Sequence, residues 1–297
     1  MARYAISGAT GLLGGALTDA LRADGHEVAR ITRRPVDESD IGWDPPVGQL
    51  DTSRLEGLDG LVHFAGEPIG AARWTPSTRR RIIASRVVTT RLLADACTRL
   101  DAPPAVFVSA SAVGFYGDRG DEVLTEDAGA GDDFLAAVCR QWESAARPAA
   151  DAGIRVVHPR TGVVIAAQGP LIDKVRLPFR LGIGGRIGSG RQYVPWIARA
   201  DHVRAVRHLL VDDLEGPVNV VGPEPVTNRE LTRALGKAFH RPAVLPIPVL
   251  AVRALYGQMG VALATVSQRV VPQRLVDSGF AFSVASLDDA LAVALGD

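Results

Sequence analysis

Short runs of β-type apolar residues alternate along this chain with longer stretches of helical period. The strand candidates are Ala2 to Ser7, Glu27 to Thr32, Gly60 to Ala65, Ala105 to Ser109 and Ile154 to Pro159. Helical patterns fill the intervals near 11–24, 76–100 and 132–151, and in the last of these Phe134, Val138, Trp142 and Ala145 recur at helical spacing. Strands alternating with helices predict an α/β fold, a doubly wound parallel sheet covered on both faces. After Asn219 the pattern changes to a helix opened by Thr227-Asn228, a proline-rich turn through Pro248, and further helices. The expected division is a sheet domain over 1–225, with segments near 165–200 belonging to a second lobe, and a smaller, mainly helical lobe over 226–297. The five glycines between Gly182 and Gly190 predict a mobile loop rather than a second phosphate cradle.

The turn after the first strand, Ser7-Gly8-Ala9-Thr10-Gly11-Leu12-Leu13-Gly14, stands between an apolar run and a helical pattern. In that position a first glycine permits a tight turn, a second lets backbone N–H groups approach a pyrophosphate, and a third lets helix and strand pack closely. The helix N-terminus then faces the phosphates. A Rossmann-type dinucleotide site is therefore expected on Gly8, Thr10, Gly11, Leu12, Leu13 and Gly14. About 20 residues further on, a carboxylate would hold the ribose of NAD and an arginine the 2′-phosphate of NADP. The second strand ends in Thr32-Arg33-Arg34, with no acid there. Two guanidinium forks after a hydroxyl suit a phosphate dianion, so NADP is the expected cofactor. The alternative is that Arg33 and Arg34 are solvated loop charges.

Composition narrows the partners. The 33 basic residues balance the 33 acidic ones, so nothing points to a nucleic acid. The apolar stretch from Val244 to Val266 is broken by Pro246, Pro248, Arg253 and glycines, and predicts packed core rather than a membrane span. The chain enters its first strand without a leader pattern, and its two cysteines, Cys97 and Cys139, make no disulfide framework. A cytoplasmic location is expected. The six histidines show no metal-ligand spacing, and no metal is expected.

Taken with the glycine turn, Val62-His63-Phe64-Ala65-Gly66-Glu67-Pro68-Ile69 and Ser109-Ala110-Ser111-Ala112-Val113-Gly114-Phe115-Tyr116-Gly117 resemble the extended short-chain dehydrogenase/reductases. The likeness is to an atypical branch, the "epimerase family protein" group related to nucleotide-sugar epimerases, which carries a C-terminal domain of unknown function. Trp43-Asp44-Pro45, Arg73-Trp74, Ser85-Arg86, Pro178-Phe179-Arg180-Leu181-Gly182, Pro195-Trp196-Ile197 and Gln268-Arg269-Val270-Val271-Pro272-Gln273-Arg274 extend it over nearly the whole chain. The resemblance implies that Phe64, Ala65 and Gly66 line the adenosine and ribose side of the cofactor. It further implies that Arg86 faces the diphosphate or nicotinamide end, where a surface arginine is the alternative. Ser109 and Arg160 join the cofactor residues, and Ser111 is the active-site hydroxyl. The helices near 76–100 and 132–151 occupy positions through which relatives form homodimers.

One departure decides how much chemistry carries over. Relatives place a tyrosine and, four residues later, a lysine on one helical face, the lysine lowering the phenol pKa for proton transfer. Aligned on Trp142-Glu143, those positions are Leu135 and Cys139 here. Neither residue does that work. Three readings stay open for a small-molecule substrate of unknown identity. In the first, an oxidoreductase or epimerase-like enzyme acts at a carbonyl or secondary alcohol with another acid, Tyr116 being nearest and Glu67, Tyr193 and His202 more distant. In the second, Cys139 is the acid or nucleophile, against the usual behaviour of a buried cysteine. In the third, the chain binds NADPH without turnover, as a sensor.

Overall fold

The computed structural model describes residues 1–296. Seven parallel strands form the central sheet: β1 (Arg3–Ser7), β2 (Glu27–Thr32), β3 (Ile41–Asp44), β4 (Gly60–His63), β5 (Val106–Ser109), β6 (Arg155–Thr161) and β7 (Gly216–Val220), in the order β7-β6-β5-β4-β1-β2-β3. A short antiparallel piece, Gln49–Leu50, closes the edge beyond β3, and Ser111–Ala112 runs beside β6. The order reverses between β1 and β4, which opens a crevice at the carboxyl ends of these two strands. Ser7, His63 and Ser109 face one another across that edge in a single row of the sheet.

Two layers of helices bury the sheet. Along β1, Tyr4 and Ile6 point to one face and Ala5 to the other, as the two-residue period of a strand requires. Tyr4 and Ile6 pack with Leu17 and Leu21 of α1 (Leu12–Ala23) and with Val206 and Leu209 of the helix Arg199–Val211. Ala5, Leu61 and Phe107 pack against Leu93, Ala94 and Cys97 of α2 (Pro76–Cys97). Truncating a ring as fully enclosed as Phe107 to alanine costs about 3–5 kcal/mol.

The pattern between 132 and 151 resolves into two helices, α3 (Phe134–Ala145) and α4 (Arg147–Asp151), with Pro148 in the first turn of the second, where a missing N–H costs nothing. Strands β3 and β7 had no counterpart among the candidates. Four residues with a glycine in β3, and a proline in β7, hide the apolar run. Pro217 is tolerated because β7 is an edge strand that pairs only with β6.

A second core joins segments far apart in sequence: Ile172 and Phe179 of α5 (Pro170–Arg180), Trp196, Leu231 and Leu235 of the helix Asn228–Ala238, and Leu287 and Leu291 of the helix Leu287–Leu295. The helix Asn228–Ala238 opens with a capping box in which Thr227 and Glu230 satisfy each other's backbone N–H groups. Of the glycines between 182 and 190, Gly184, Gly185, Gly188 and Gly190 are packed closely against neighbours. A Cβ on Gly185 would collide with the carbonyl of Leu245, and Ile187 bridges to Ile247, which pins the loop against the chain leading to the helix Val249–Ala264. Among the described residues no helix is long and apolar enough to cross a membrane.

Candidate active site

The crevice between β1 and β4 is shaped by backbone. Gly8 has φ +72°, and a Cβ there would lie 2.9 Å from the nitrogen of Ala65 and the carbonyl carbon of Phe64, so only glycine lets the two strand ends come this close. A Cβ on Gly14 would strike the carbonyl oxygen of Gly8, so the third glycine seats α1 on the turn. The Gly11 N–H donates to Gly8 O at 2.9 Å and closes the turn. Gly11 is also the N-cap of α1, and no side chain caps the first-turn N–H groups. They are left to an anion. Thr10 and Gly11 are exposed there, with Leu12 and Leu13 half-buried behind them.

A buried relay fixes the loop Phe64-Ala65-Gly66 opposite. The Ser7 hydroxyl meets His63 Nδ1 at 2.5 Å and accepts from the Ala65 N–H at 3.4 Å, while His63 Nε2 meets Thr89 Oγ1 at 3.0 Å. Burial, with the nearby Arg86 guanidinium, pushes the His63 pKa down to about 3, so this imidazole is a neutral strut. At the end of β2, Arg30 holds the buried Asp40 through a two-pronged ion pair at 2.8 and 2.9 Å, and Asp40 also accepts from the N–H groups of Val36 and Asp37. That clamp folds the loop back, and Thr32 Oγ1 accepts from the Arg34 N–H at 3.2 Å. Arg33 and Arg34 project into solvent beside the crevice, and no side-chain hydrogen bond or ion pair engages either among the described residues.

Beyond the crevice lies a cavity of about 180 Å³ between the sheet edge and the second lobe. Its near wall is Ala112 to Gly114 with Leu135, Cys139 and Trp142 of α3; its far wall includes Tyr193 to Pro195 and Ala262 to Ala264. Leu135 and Cys139, the positions at which the resemblance leads one to expect a tyrosine and a lysine, both face this cavity. Arg86 reaches it from α2. Its Nη1 donates to the carbonyls of Glu67 at 3.0 Å and Ile82 at 3.2 Å, its guanidinium lies 4.9 Å from the Trp142 ring, and its buried Nε has no partner.

Several expected site residues sit elsewhere. Tyr116 is fully buried, donates to Asn219 Oδ1 at 2.6 Å and accepts from Arg160 Nη1 at 3.0 Å. Burial raises its pKa, and because its hydroxyl is committed to these two internal partners and does not line the cavity, the expectation of a catalytic Tyr116 is corrected. Arg160 is corrected as well. It is buried in an ion pair with Glu143 at 2.9 and 3.0 Å and lies 3.5 Å from the Phe115 ring, with no open face for a cofactor. The proton of Ser111 goes to Glu143 Oε1 at 2.6 Å, so it is not free for a substrate oxygen. Ser109 is buried with its hydroxyl unpartnered at the sheet edge. Burial, then Glu143, push the Cys139 thiol up to about 12, and its Sγ lies 3.6 Å from the carbonyl of Ala112. Cys139 lines the cavity as a buried, free thiol held in its neutral form.

Among the more distant acids, Glu67 pairs with Arg81 at 3.1 Å and His202 is buried against Thr161 at 3.2 Å, its pKa pushed down to about 4 by burial. Tyr193 does reach the cavity, half-buried, and its hydroxyl has no partner among the described residues. Sequence reasoning missed Glu143 and Asn219. A carboxylate on the buried face of α3, in register with an arginine on β6, was the signal that could have found the first.

Comparison with known proteins settles the family. Residues 4–222 match the model of the NAD dependent epimerase/dehydratase family. The chain belongs to this family. Residues 247–294 match a domain of unknown function (DUF1731). An epimerase family protein of Mycobacterium bovis is 42% identical over 98% of this chain and 96% of its own length. The crystal structure of human epimerase family protein SDR39U1 with NADPH is similar at a TM-score of 0.91 and 35% identity, covering 99% of both chains. A nucleoside-diphosphate sugar epimerase from Corynebacterium glutamicum superposes with a TM-score of 0.83 at 37% identity over 99% of this chain and 58% of that one. Within the family this member keeps the glycine cradle and presents a leucine and a cysteine to its cavity.

Proposed function

We propose that this protein binds NADPH in the β1/β4 crevice and exchanges a hydride with a carbonyl or secondary alcohol of a small, largely apolar molecule held in the adjoining cavity. One observation carries the reading: the glycine cradle, which a Cβ at Gly8 or Gly14 would fill, opens beside two unengaged arginines at the end of β2. The cradle fits a dinucleotide diphosphate on the first-turn N–H groups of α1, and Arg33 and Arg34 fit a 2′-phosphate. The human relative solved with NADPH supports the same preference. When bound, the nicotinamide supplies or accepts the hydride.

The chain's own residues must then hold the substrate oxygen and manage one proton. Arg86 is the group suited to polarise that oxygen, because its guanidinium is held in place and lines the cavity. Tyr193 is the group suited to give or take the proton. Leu135 and Cys139 supply neither a phenol nor an ammonium on the near wall, and the cation beside Tyr193 is the Arg269 guanidinium, 5.2 Å from its ring. Turnover is accordingly expected to be slow, since a general acid contributes about 10²–10⁴-fold when tuned. The same two residues favour a second reading, in which NADPH is bound and not consumed.

Calorimetry with NADPH and NADH, on wild type and Arg33→Ala, tests the cofactor assignment. Tight NADPH binding that weakens about tenfold or more in Arg33→Ala, with NADH unchanged, is the expected result. Equal binding of the two nucleotides would remove the 2′-phosphate role of the arginines. NADPH consumption across a panel of carbonyl compounds, lost in Tyr193→Phe, separates the enzyme from the sensor. Stoichiometric binding with no consumption would leave the sensor.

A further inference from the structure

The chain as a whole carries no net charge, yet one concavity on the second lobe is strongly basic. Its volume is about 670 Å³, and Arg186, Arg229, Arg233, Lys237, His240 and Arg241 line it, with no carboxylate in the wall among the described residues. None of these residues belongs to the cofactor crevice or to the cavity beside it. We propose that this concavity is a binding site for a soluble small molecule bearing contiguous phosphate groups.

Three features support a built site rather than a solvated basic face. First, the guanidiniums are held by backbone and not by acids. Arg186 donates to the carbonyl of Gly188 at 3.4 Å, Arg229 to that of Ser189 at 3.5 Å, and Arg241 to those of Arg180 and His240 at 3.2 Å each. Each keeps N–H donors for a ligand, and a planar guanidinium fork matches the oxygens of a phosphate. Lys237, by contrast, is paired with Asp288 at 2.7 Å, and Glu230 beside Arg233 is committed to the Thr227 cap.

Second, the helix dipole does not explain the cluster. Cations are favoured at a helix C-terminus, which accounts for Lys237, His240 and Arg241 around the end of the helix Asn228–Ala238. Arg229 is the second residue of that helix, at its positive end, where a cation is disfavoured. Arg186 comes from a different loop altogether. Third, His240 has φ +51°, the left-handed conformation that glycine ordinarily fills at this position past a helix, and among the described residues no other non-glycine residue adopts a positive φ. An imidazole is kept there at a conformational cost, on the rim of the concavity.

The test uses inorganic tripolyphosphate as the probe and protein saturated with NADPH, so that the dinucleotide crevice cannot take it. Calorimetry should show saturable binding that weakens with added salt and weakens about tenfold or more in Arg229→Ala/Arg233→Ala, with NADPH affinity unchanged. Both side chains are exposed, so the variant should fold as wild type does. The His240 imidazole resonances should move on titration in the wild type. Binding of equal strength in the double variant, or none up to millimolar probe, would overturn the proposal. Two parallel arms guard the ligand class: an oligoglutamate peptide or phosphoinositide vesicles that bind where tripolyphosphate does not would also overturn it.

Discussion

The two walls of the candidate active site are built by different means. The cofactor wall is backbone: a glycine at φ +72°, a helix N-terminus without a side-chain cap, and a carbonyl packed where a third glycine allows it. The substrate wall is side chain, and behind it Ser111, Glu143, Arg160, Tyr116 and Asn219 form one buried polar chain from α3 through β6 to β7. Backbone sites tolerate change everywhere except at the glycines. A side-chain network holds only while every member is present, because each buried donor or acceptor left alone costs its full desolvation. The substrate wall can thus carry Leu135 and Cys139 where the resemblance leads one to expect a tyrosine and a lysine, while the cofactor wall stays intact.

The largest effect should come from breaking the network. Arg160→Leu leaves the Glu143 carboxylate mostly buried and unpaired and should cost about 3–5 kcal/mol in urea unfolding. The double variant Glu143→Leu/Arg160→Leu should recover part of that loss, since replacing both partners removes the orphaned charge. A loss in the double variant equal to the sum of the two singles would show that the residues act separately. NADPH affinity should change little in either, because the network lies behind the other wall.

Next in size is Gly14→Ala, expected to cost about 2–3 kcal/mol and to abolish NADPH binding. Its new methyl group would meet the Gly8 carbonyl, which is backbone and cannot swing aside. A variant that lost stability but bound NADPH normally would contradict the assignment of this turn as the diphosphate cradle.

The strut under the cofactor wall gives a pH signature. His63, with a pKa near 3, stays neutral in the fold over a range where the unfolded chain, with an ordinary value of 6.5, takes up a proton. The unfolded state therefore binds more protons below about pH 6.5, and stability falls as pH falls, by about 1.4 kcal/mol per pH unit from this group. The stability is fully present above 6.5 and goes on being lost until the pH nears 3. His202 acts in the same direction down to about 4. Unfolding midpoints between pH 6.5 and 4.5 should show a steep slope in the wild type and a shallower one in His63→Gln, which retains a hydrogen-bonding side chain between Ser7 and Thr89. Parallel slopes would mean that His63 is charged in the fold.

Legibility in the sequence follows the same division. The parallel sheet, the crevice and the glycine cradle were readable because each rests on local pattern, an apolar run, a turn and a helix start within a few residues. The offset of Arg33 and Arg34 from the turn singled them out, although the Arg30–Asp40 clamp beside them was not readable. The network was not legible: Ser111, Glu143, Arg160 and Asn219 are brought together only by the pairing of β6 with its neighbours. Tyr116 looked available because sequence shows proximity along the chain and not the partners of a hydroxyl. The basic concavity escaped for a related reason. Net charge is a sum, and a local cluster vanishes in it.

Cys139 gives the smallest expected effect and the sharpest contrast between position and role. It stands where the resemblance leads one to expect a lysine and lines the cavity, yet burial and Glu143 push its thiol up to about 12 and so favour the neutral form. Cys139→Ala removes one sulfur from a site that already borders empty volume, so the change in stability should stay within about 1 kcal/mol. NADPH binding should be unchanged, and any consumption of NADPH should persist within about twofold, against the loss expected for Tyr193→Phe. Thiol titration with an aromatic disulfide reagent should find neither Cys139 nor Cys97 in the folded protein and both in urea, as both are buried. Rapid labelling of Cys139 without denaturant, together with loss of NADPH consumption in Cys139→Ala, would return the cysteine to the chemistry and show that the substrate wall, like the cofactor wall, had kept a working group where the family keeps one.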